Sequence, residues 1–438
     1  MAEKISRRSF AKAGAATVFG LTALEAANVL GANERVRLGF IGLGIRGSQL
    51  IAGFAQHADA QIAALCDVSG STLDEANQKF TQGKATPFRD FRKMIDRKDL
   101  DGVVVATPDH WHAIQTITAC KAGKDVYCEK PLSKTIREGR RMVEVARSTK
   151  RVVQVGTHRR SGLSYAAAAK LIASGKLGKV TVARSFDTTN MYPHGIGKAK
   201  PSDPPKDLDW EMWLGPRPLR PYQSTITPFK FRWWDLYATR FADNGVHFID
   251  IMRWLTGDEL GPTLVSALGG RFAVDDDRTI PDVMEGMFQF ASGRLLTFAQ
   301  YETSGNRAMP RQSFAEFRGT EGALYANDAG FEVFPEHGGR YQEDRQPRMK
   351  PIKQDFKEGY SQHLRDHTRN FLDCIKSRGK PRADVEIGHR STSMALLANI
   401  SLATQSTIHW DPQHEQIVSN PQANELLHYE YRKPWKLE

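Results

Sequence analysis

The sequence predicts an α/β protein in which a doubly wound parallel sheet is followed by a second α/β domain with a large, mostly antiparallel open sheet. Three observations support this prediction. A glycine-rich turn joins the first apolar run to a helix, and strands then alternate with helices of ten or more residues up to residue 156. From residue 263 onward, short β-rich segments follow one another through hairpin-like turns.

The first predicted strand starts at Arg35 and runs directly into the glycine-rich turn. Three glycines of this turn have the G-x-G-x-x-G spacing, which permits a tight turn, close approach of a pyrophosphate and packing of helix on strand. The free amides and the positive end of the following helix would bind the phosphates. The candidate cofactor-binding residues here are Gly42, Leu43, Gly44, Ile45, Arg46 and Gly47.

The second predicted strand, residues 61–67, ends in an acid. Asp67 lies about 20 residues beyond Gly47, where the acceptor for an adenosine ribose 2′-hydroxyl is expected. This order of elements predicts a dinucleotide site, and the acid favours NAD over NADP because a carboxylate would repel a 2′-phosphate. The alternative role for Asp67 is to cap the helix that follows the strand.

The alternation of strands and helices predicts a Rossmann domain over residues 33–156. Its further helices are expected at 71–80, 88–95, 113–122 and 135–150, and its further strands at 101–107, 124–130 and 151–156. In such sheets ligands collect at the carboxyl ends of the strands. Thr107-Pro108 and Glu129-Lys130-Pro131 both end predicted strands, so they are expected beside the glycine turn.

Residues 157–438 form the second predicted domain, which contains a long irregular segment at 187–237. So long a loop inside a compact protein is usually functional. Its tryptophans either stack on sugar rings or pack the loop onto its own domain. Strands are expected at 180–186, 264–268, 283–290, 294–301, 313–318 and 323–327, and helices at 241–255, 359–377 and 388–404.

Composition excludes several classes of protein. The net charge of +11 is spread along the chain without a recognition module, so no nucleic-acid partner is predicted. The four cysteines have neither a C-x-x-C pair nor a framework spacing, which argues against a zinc site and a disulfide scaffold.

The first 32 residues resemble a targeting segment. Arg7 and Arg8 precede a modest apolar stretch, residues 13–24, as in a twin-arginine export signal, and the stretch is too short to span a bilayer. The alternative is a basic amphipathic start to the protein. Export would place the protein in the periplasm or beyond, with the twin-arginine machinery as a partner. Because no nicotinamide pool exists there, the cofactor would have to stay bound through turnover.

Two further motifs carry chemistry. Lys130 ends a predicted strand, where a lysine can exchange a proton with a substrate hydroxyl; the alternative is a surface ion pair with Glu129. Asp243 and His247 stand at i and i+4, so the carboxylate can orient the imidazole and raise its pKa. The alternatives are a helix cap with a core histidine, or two ligands of a metal whose third ligand no spacing supplies.

Four motifs taken together resemble the Gfo/Idh/MocA superfamily, the group of glucose–fructose oxidoreductase and inositol dehydrogenase. They are Gly42-Leu-Gly-Ile-Arg-Gly47, Ala106-Thr-Pro-Asp-His-Trp-His112, Glu129-Lys-Pro131 and Asp243-x-x-x-His247. The resemblance implies a homodimer or homotetramer formed through the open sheet. It also implies catalytic roles for Lys130, Asp243 and His247, and cofactor contacts for Thr107, Pro108, His112, Glu129 and Lys130.

The predicted function is therefore that of an exported NAD-dependent oxidoreductase acting on a hydroxyl of a sugar or glycoside. Its reaction is either a net oxidation or a redox-neutral cycle. The alternatives are an NAD-dependent glycoside hydrolase or lyase that works through a transient keto-sugar, and a non-catalytic sugar-binding protein of the same fold. No metal is predicted. The candidate substrate-binding residues are His158, Tyr192, His194, Trp233, Trp234 and Asn244.

Overall fold

The computed structural model describes residues 35–306, 308 and 314–438. The predicted leader, residues 1–32, lies outside them. Within the described ranges the chain forms a six-stranded parallel sheet and a ten-stranded, mostly antiparallel sheet, both combined with helices. The predicted fold class is thereby confirmed. No helix in these ranges is long and apolar enough to cross a membrane.

The first sheet is built from short strands, of which the central ones are buried along their whole length, as in a doubly wound domain. The strands are β1 Val36–Ile41, β2 Ala60–Cys66, β3 Thr86–Phe88, β4 Gly102–Val105, β5 Asp125–Cys128 and β6 Val153–Val155. The helices between them are α1 Ile45–Phe54, α2 Gly70–Thr81, α3 Phe91–Ile95, α4 Asp109–Lys121 and α5 Ile136–Ser148. The strand order is β3-β2-β1-β4-β5-β6, with every neighbouring pair parallel.

Two details of this domain differ from the sequence prediction. β3 forms at the sheet edge, and the helix predicted from residue 88 begins only at Phe91 behind an Asp90 cap. α4 begins at Asp109 instead of residue 113, directly after Pro108, whose fixed φ of −60° suits the start of a helix. The polar residues that follow Pro108 therefore lie on a buried helix.

The second sheet is largely antiparallel, with a parallel pair between its central strands. Its strands are β7 Val180–Thr188, β8 Leu264–Gly270, β9 Val283–Gln289, β10 Leu295–Tyr301, β11 Ala315–Gly319, β12 Gly322–Asn327, β13 Gly330–Pro335, β14 Ile352–Asp355, β15 Ile408–Asp411 and β16 Gln416–Ile417. Their order is β14-β13-β12-β11-β7-β10-β9-β8-β15-β16, and β7 is parallel to β10. The prediction missed β13 to β16; β14, β15 and β16 have only four, four and two residues, too few for the apolar pattern to be recognised.

Helices cover one face of this sheet and connect it to the first domain. They are α6 Leu163–Ala173, α7 Trp210–Leu214, α8 Arg240–Asp243, α9 Gly245–Thr256, α10 Tyr360–Ser377, α11 Val385–Thr404 and α12 Pro421–Glu425, with 3₁₀ turns at His158–Ser161 and Lys230–Trp233. The helix predicted at 241–255 is thus divided in two at Asn244.

Helix α10 follows the second sheet in the chain but packs against the first. Phe371 is fully buried and meets Phe54 and Tyr127 edge-to-face at centroid distances of 6.1 and 5.9 Å. Gly53 of α1 lies where a Cβ would touch Leu364. The chain therefore returns to its first domain, and the two domains share hydrophobic contacts.

Residues 187–237 form a packed subdomain despite their irregular backbone. Trp213 stacks on Trp210 at 4.8 Å and meets Tyr237 edge-to-face at the same distance. Trp233 and Trp234 are also buried in this aromatic cluster. Most of the loop's aromatic surface is therefore used to hold its own shape.

We expect Phe371→Ala to lower the free energy of unfolding by about 3–5 kcal/mol, because the truncated side chain leaves a cavity between α10 and the first sheet. Chemical denaturation of the full chain measures this change. Arg365→Ala, on the exposed face of the same helix, is the control and should stay within about 0.5 kcal/mol of the parent. Equal effects of the two substitutions would show that α10 is not part of this core.

Candidate active site

A crevice with a cavity volume of about 470 Å³ opens at the carboxyl ends of β1, β2, β4 and β5. The first domain supplies one wall, and residues from 205 to 232 together with Asp243 supply the other. In doubly wound sheets this is the position at which ligands bind. The glycine turn, Thr107-Pro108 and Glu129-Lys130 meet here, as the sequence indicated.

The glycine turn is shaped by steric requirements at two of its three positions. Gly42 has φ +83°, and a Cβ there would lie 2.8 Å from the carbonyl of Ala106. A Cβ on Gly47 would overlap the carbonyl oxygen of Gly42. A Cβ on Gly44, by contrast, would meet no atom within 4 Å, and Gly44 lines the crevice. The open space at Gly44 fits the approach of a pyrophosphate.

The amino end of α1 also fits a dinucleotide. Its N-cap residue is Gly44, which has no side chain to bind the first amides. The predicted contact Arg46 turns sideways, since its Nε donates to Glu129 at 2.7 Å and its guanidinium donates to Tyr360 at 2.9 Å. Although burial opposes its charge, Glu129 raises the pKa of Arg46. The backbone of the turn, more than this side chain, is placed to bind phosphates.

Asp67 lines the crevice beside the glycine turn. Its carboxylate accepts the amide of Leu43 at 2.7 Å and that of Ser69 at 2.9 Å. Burial raises the pKa of Asp67. The helix α2 is capped by Ser69, so the alternative reading of Asp67 as its cap is wrong.

His112 connects two of the strand-end loops. Its Nδ1 contacts the carbonyl of Pro131 at 2.8 Å, and its Nε2 contacts the carbonyl of Thr107 at 2.9 Å. Burial lowers the pKa of His112. This buried imidazole therefore holds the Thr107-Pro108 loop against the Glu129-Lys130-Pro131 turn and makes no contact with the crevice itself.

Lys130 and Asp243 form an ion pair across the two domains. Lys130 Nζ donates to Asp243 Oδ1 at 2.9 Å and to the Asp243 carbonyl oxygen at 2.7 Å. Only 13% of the Lys130 side chain and 5% of the Asp243 side chain are exposed. The alternative ion pair between Lys130 and Glu129 is wrong, because Glu129 is bonded to Arg46 instead.

The predicted pairing of Asp243 with His247 does not form. Asp243 ends α8 and His247 belongs to α9, so the break at Asn244 separates their faces. The Asp243 carboxylate is held by Lys130 and, at 3.2 Å, by Arg232. These cations and Arg240 lower its pKa in spite of its burial. Asp243 is a partner of the lysine and not of the histidine.

His247 is a neutral imidazole in a cationic environment. Burial and the charge of Lys130 hold the pKa of His247 well below its usual value of 6.5, which corrects the predicted increase. Its ring meets His158 edge-to-face at 5.2 Å. The buried nitrogens His247 Nδ1 and His158 Nε2 have no hydrogen-bond partner among the described residues. Burial and Arg46 likewise keep the pKa of His158 well below 6.5.

None of the predicted substrate-binding residues lines the crevice, and His158 and the catalytic candidate His247 are also absent from its walls. Tyr192 is 61% exposed and His194 is also at the surface. The indole of Trp233 donates to Glu302 at 3.0 Å, and that of Trp234 donates to the Thr225 carbonyl at 2.7 Å. Both tryptophans therefore pack the loop, the second of the two readings left open.

Asn244 is already engaged as well, because its side chain donates to Asp187 at 2.6 Å. No group of three or more histidine, cysteine, aspartate or glutamate side chains in the described part of the chain is placed to hold a metal ion. All four cysteines are buried and free.

The sequence interpretation assigned no role to three charged residues that line the crevice. Asp109 lay inside the quoted motif, but α4 was expected to begin later. Arg232 and Asp207 belong to the irregular loop, whose periodicity gives no sign of which side chains turn inward. The Thr-Pro-Asp sequence at a strand end was the only signal available, and it pointed to Asp109.

Two family models match the chain. One, described as an oxidoreductase family with an NAD-binding Rossmann fold, matches residues 36–157. The other, the C-terminal α/β domain of the same family, matches residues 161–275 and 347–437. The chain belongs to the Gfo/Idh/MocA oxidoreductase family. Its amino-terminal domain is an NAD-binding Rossmann domain, which confirms the predicted cofactor.

Curated members of the Gfo/Idh/MocA family align with part of the chain. Identity is 34% over 125 residues to a glycosyl hydrolase family 109 protein of Shewanella pealeana, covering 27% of each sequence. It is 30% over 146 residues to an inositol 2-dehydrogenase of Salmonella paratyphi B, covering 33% of this chain and 43% of the relative. A 1,5-anhydro-D-fructose reductase of Ensifer adhaerens is 28% identical over 235 residues, covering 53% of this chain and 58% of the relative. The chain therefore spans less than two thirds of each relative.

Solved structures of this fold align over most of the chain. A levoglucosan dehydrogenase in complex with NADH and levoglucosan has a TM-score of 0.66 and 20% identity, covering 85% of this chain and 99% of its own. A putative myo-inositol dehydrogenase from Sinorhizobium meliloti has a TM-score of 0.58 and 20% identity, with the same coverage. At this identity the similarity concerns the fold.

The buried histidines predict how stability depends on pH. A histidine whose pKa is depressed in the folded protein takes up its proton on unfolding, so stability falls as the pH drops below 6.5. We expect His158→Asn to flatten this dependence by up to about 1.4 kcal/mol per pH unit. Denaturant titrations below pH 6.5 measure it. The exposed His409→Asn is the control; equal slopes in the two variants would contradict the assignment of a neutral His158.

Proposed function

We propose that this protein is an exported NAD-dependent oxidoreductase that acts on a hydroxyl of a sugar or glycoside. The observation that carries the proposal is the Lys130–Asp243 pair, which faces the same crevice as the glycine turn. The relatives named for inositol, anhydrofructose and levoglucosan support a polyhydroxylated small molecule as substrate.

The chemistry that bound NAD supplies is acceptance of a hydride from the carbon that bears the reacting hydroxyl. A lysine ammonium has three N–H donors, and Lys130 directs two of its bonds to Asp243. The remaining donor is free to bind the substrate oxygen and polarise its O–H bond. The proton of the substrate hydroxyl would then pass to His247, whose Nδ1 has no hydrogen-bond partner among the described residues. The substrate leaves this step as a ketone.

The long loop supports retention of the cofactor. Residues 205–209, here called the clasp, cross the adenosine end of the crevice next to Asp67. Asp207 accepts the amide of Ser71 at 3.0 Å and its hydroxyl at 2.7 Å. The Asp207 carbonyl oxygen accepts a hydrogen bond from the amide of Gly70 at 3.0 Å, and the amide of Asp209 donates to the carbonyl oxygen of Val68 at 2.9 Å. A dinucleotide below this clasp could leave only after these bonds opened.

A retained cofactor fits a redox-neutral cycle better than net dehydrogenation. If the hydride returns to the same or another carbon, no exchange with free nicotinamide is needed. Such a cycle suits a protein that is exported in the folded state. Export is proposed here from Arg7 and Arg8 of the leader. The cofactor would be installed before export.

Assembly through the open sheet is also part of the proposal. The uncovered face of the second sheet carries apolar side chains from neighbouring strands, Leu268, Met287 and Leu295, with exposures of 77%, 47% and 36%. A homodimer or homotetramer would bury them.

A second candidate function is an NAD-dependent glycoside hydrolase or lyase, favoured by the family 109 relatives. Oxidation at one carbon makes the neighbouring C–H acidic, so elimination of an aglycone can follow. Incubation with aryl glycosides and no added NAD distinguishes the two, because phenol release occurs only in this case.

Lys130→Met should lower the rate of sugar oxidation by at least about 100-fold, because the variant loses the donor for the substrate oxygen. The measurement is the NADH absorbance of the purified protein after addition of each member of a sugar and glycoside panel. Lys176→Met, which changes an exposed lysine that does not line the crevice, is the control. Equal absorbance changes in all three proteins would overturn the assigned chemistry and favour a sugar-binding protein.

Asp207→Ala should release bound NADH at least about 10-fold faster, because the substitution removes the side-chain bonds that close the clasp. Loss of nucleotide fluorescence during exchange against excess NAD measures the rate. Asp203→Ala changes an exposed acid four residues earlier and should release NADH at the parental rate. Parental protein that loses its nucleotide as fast as the Asp207 variant would refute retention by the clasp.

A further inference from the structure

Asp109 is a buried carboxyl group without a protein partner. It is the first residue of α4, it is 3% exposed, and it lines the crevice that Lys130 and Asp243 face. Within the described part of the chain no hydrogen bond or ion pair ends on its carboxylate oxygens, and these oxygens are not fully enclosed by protein because they reach the crevice. A buried carboxyl normally has hydrogen-bond partners, since leaving it without them costs free energy. The crevice is where a missing partner can enter.

The neighbouring cations bond to another acid. Lys130 and Arg232 both bond to Asp243, and no hydrogen bond or ion pair within the described residues joins either of them to Asp109. Burial and the Asp243 carboxylate raise the pKa of Asp109 well above its ordinary value, whereas the cations lower that of Asp243. The two adjacent carboxyls therefore differ in their affinity for a proton, and Asp109 holds one more readily than Asp243. In its protonated form, Asp109 offers one donor and one acceptor to the crevice.

We propose that Asp109 contacts the substrate by hydrogen-bonding a second hydroxyl of the carbohydrate, beside the hydroxyl that Lys130 binds. Asp109 would then determine specificity for polyhydroxylated substrates over simple alcohols. This inference rests on the proposed function, because it assigns a role within the same crevice. Binding of the sugar would supply the hydrogen-bond partner that the Asp109 side chain lacks within the protein.

The two substitutions that test the proposal are Asp109→Leu and Asp109→Asn. An amide still donates and accepts, so Asp109→Asn should retain most of the activity, whereas Asp109→Leu should raise KM by about 10-fold or more with a smaller change in kcat. D-glucose and its monodeoxy derivatives serve as probes. For the parent, the KM of one deoxy sugar should be higher than that of glucose, whereas Asp109→Leu should have equal KM values for the two sugars. If the ratio of these KM values is the same in both proteins for every deoxy sugar, the contact is overturned.

Stability provides a readout that a structural role would not give. Removing an unpaired buried acid should raise Tm, by about 2 °C for Asp109→Leu, whereas an acid that holds the fold together would lower it. Asp74→Leu, at an exposed helix position, is the control. Bound NADH should be released at the parental rate; faster release would mean that Asp109 contacts the cofactor and would overturn the proposal.

Failure of this inference can be distinguished from failure of the proposed function. Glucose should raise the Tm of the parent more than that of Asp109→Leu, and this binding measurement requires no turnover. If the parent binds glucose without reducing its NAD, the oxidoreductase proposal fails while the Asp109 contact stands. If parent and variant bind glucose equally, the contact at Asp109 is refuted whatever the activity.

Discussion

The ion pair between Lys130 and Asp243 is the interaction on which the site depends. Lys130 follows β5 of the first sheet, and Asp243 ends α8 of the second domain, so the pair joins the two domains at the wall of the crevice. A buried ion pair of this kind is weak evidence for stability, because desolvation offsets much of the attraction. Its consequence is geometric. It directs the ammonium toward the crevice and fixes the distance between the nucleotide-binding turn and the second domain.

The remaining charges of the site are arranged around this pair. Glu129 is neutralised by Arg46, and Asp243 is shared between Lys130 and Arg232. Burial, together with the cations nearby, holds the pKa of His158 and of His247 well below 6.5, since a further positive charge in a buried place is unfavourable.

The second domain encloses the first instead of standing beside it. Helix α10 packs on α1 from behind, and the clasp at 205–209 crosses the opposite, open side of the nucleotide crevice. The loop between 187 and 237 keeps its shape through its own aromatic cluster, which is why it can present Asp207 and Arg232 without regular structure. Both domains therefore line the crevice.

The sequence alone determined the nucleotide-binding half of this protein. Its order of buried strands, Gly42, Gly44, Gly47 and the strand-ending acid Asp67 are local features, and their meaning depends on spacing along a few dozen residues. Only the tertiary structure decided which side chains meet in the crevice. The i, i+4 spacing of Asp243 and His247 predicts that their side chains pair. The helix breaks at Asn244, however, and the Asp243 carboxylate bonds to the distant residue Lys130. Such pairings depend on domain packing, which no local pattern encodes, and the same is true of the inward turn of Asp109 and Arg232.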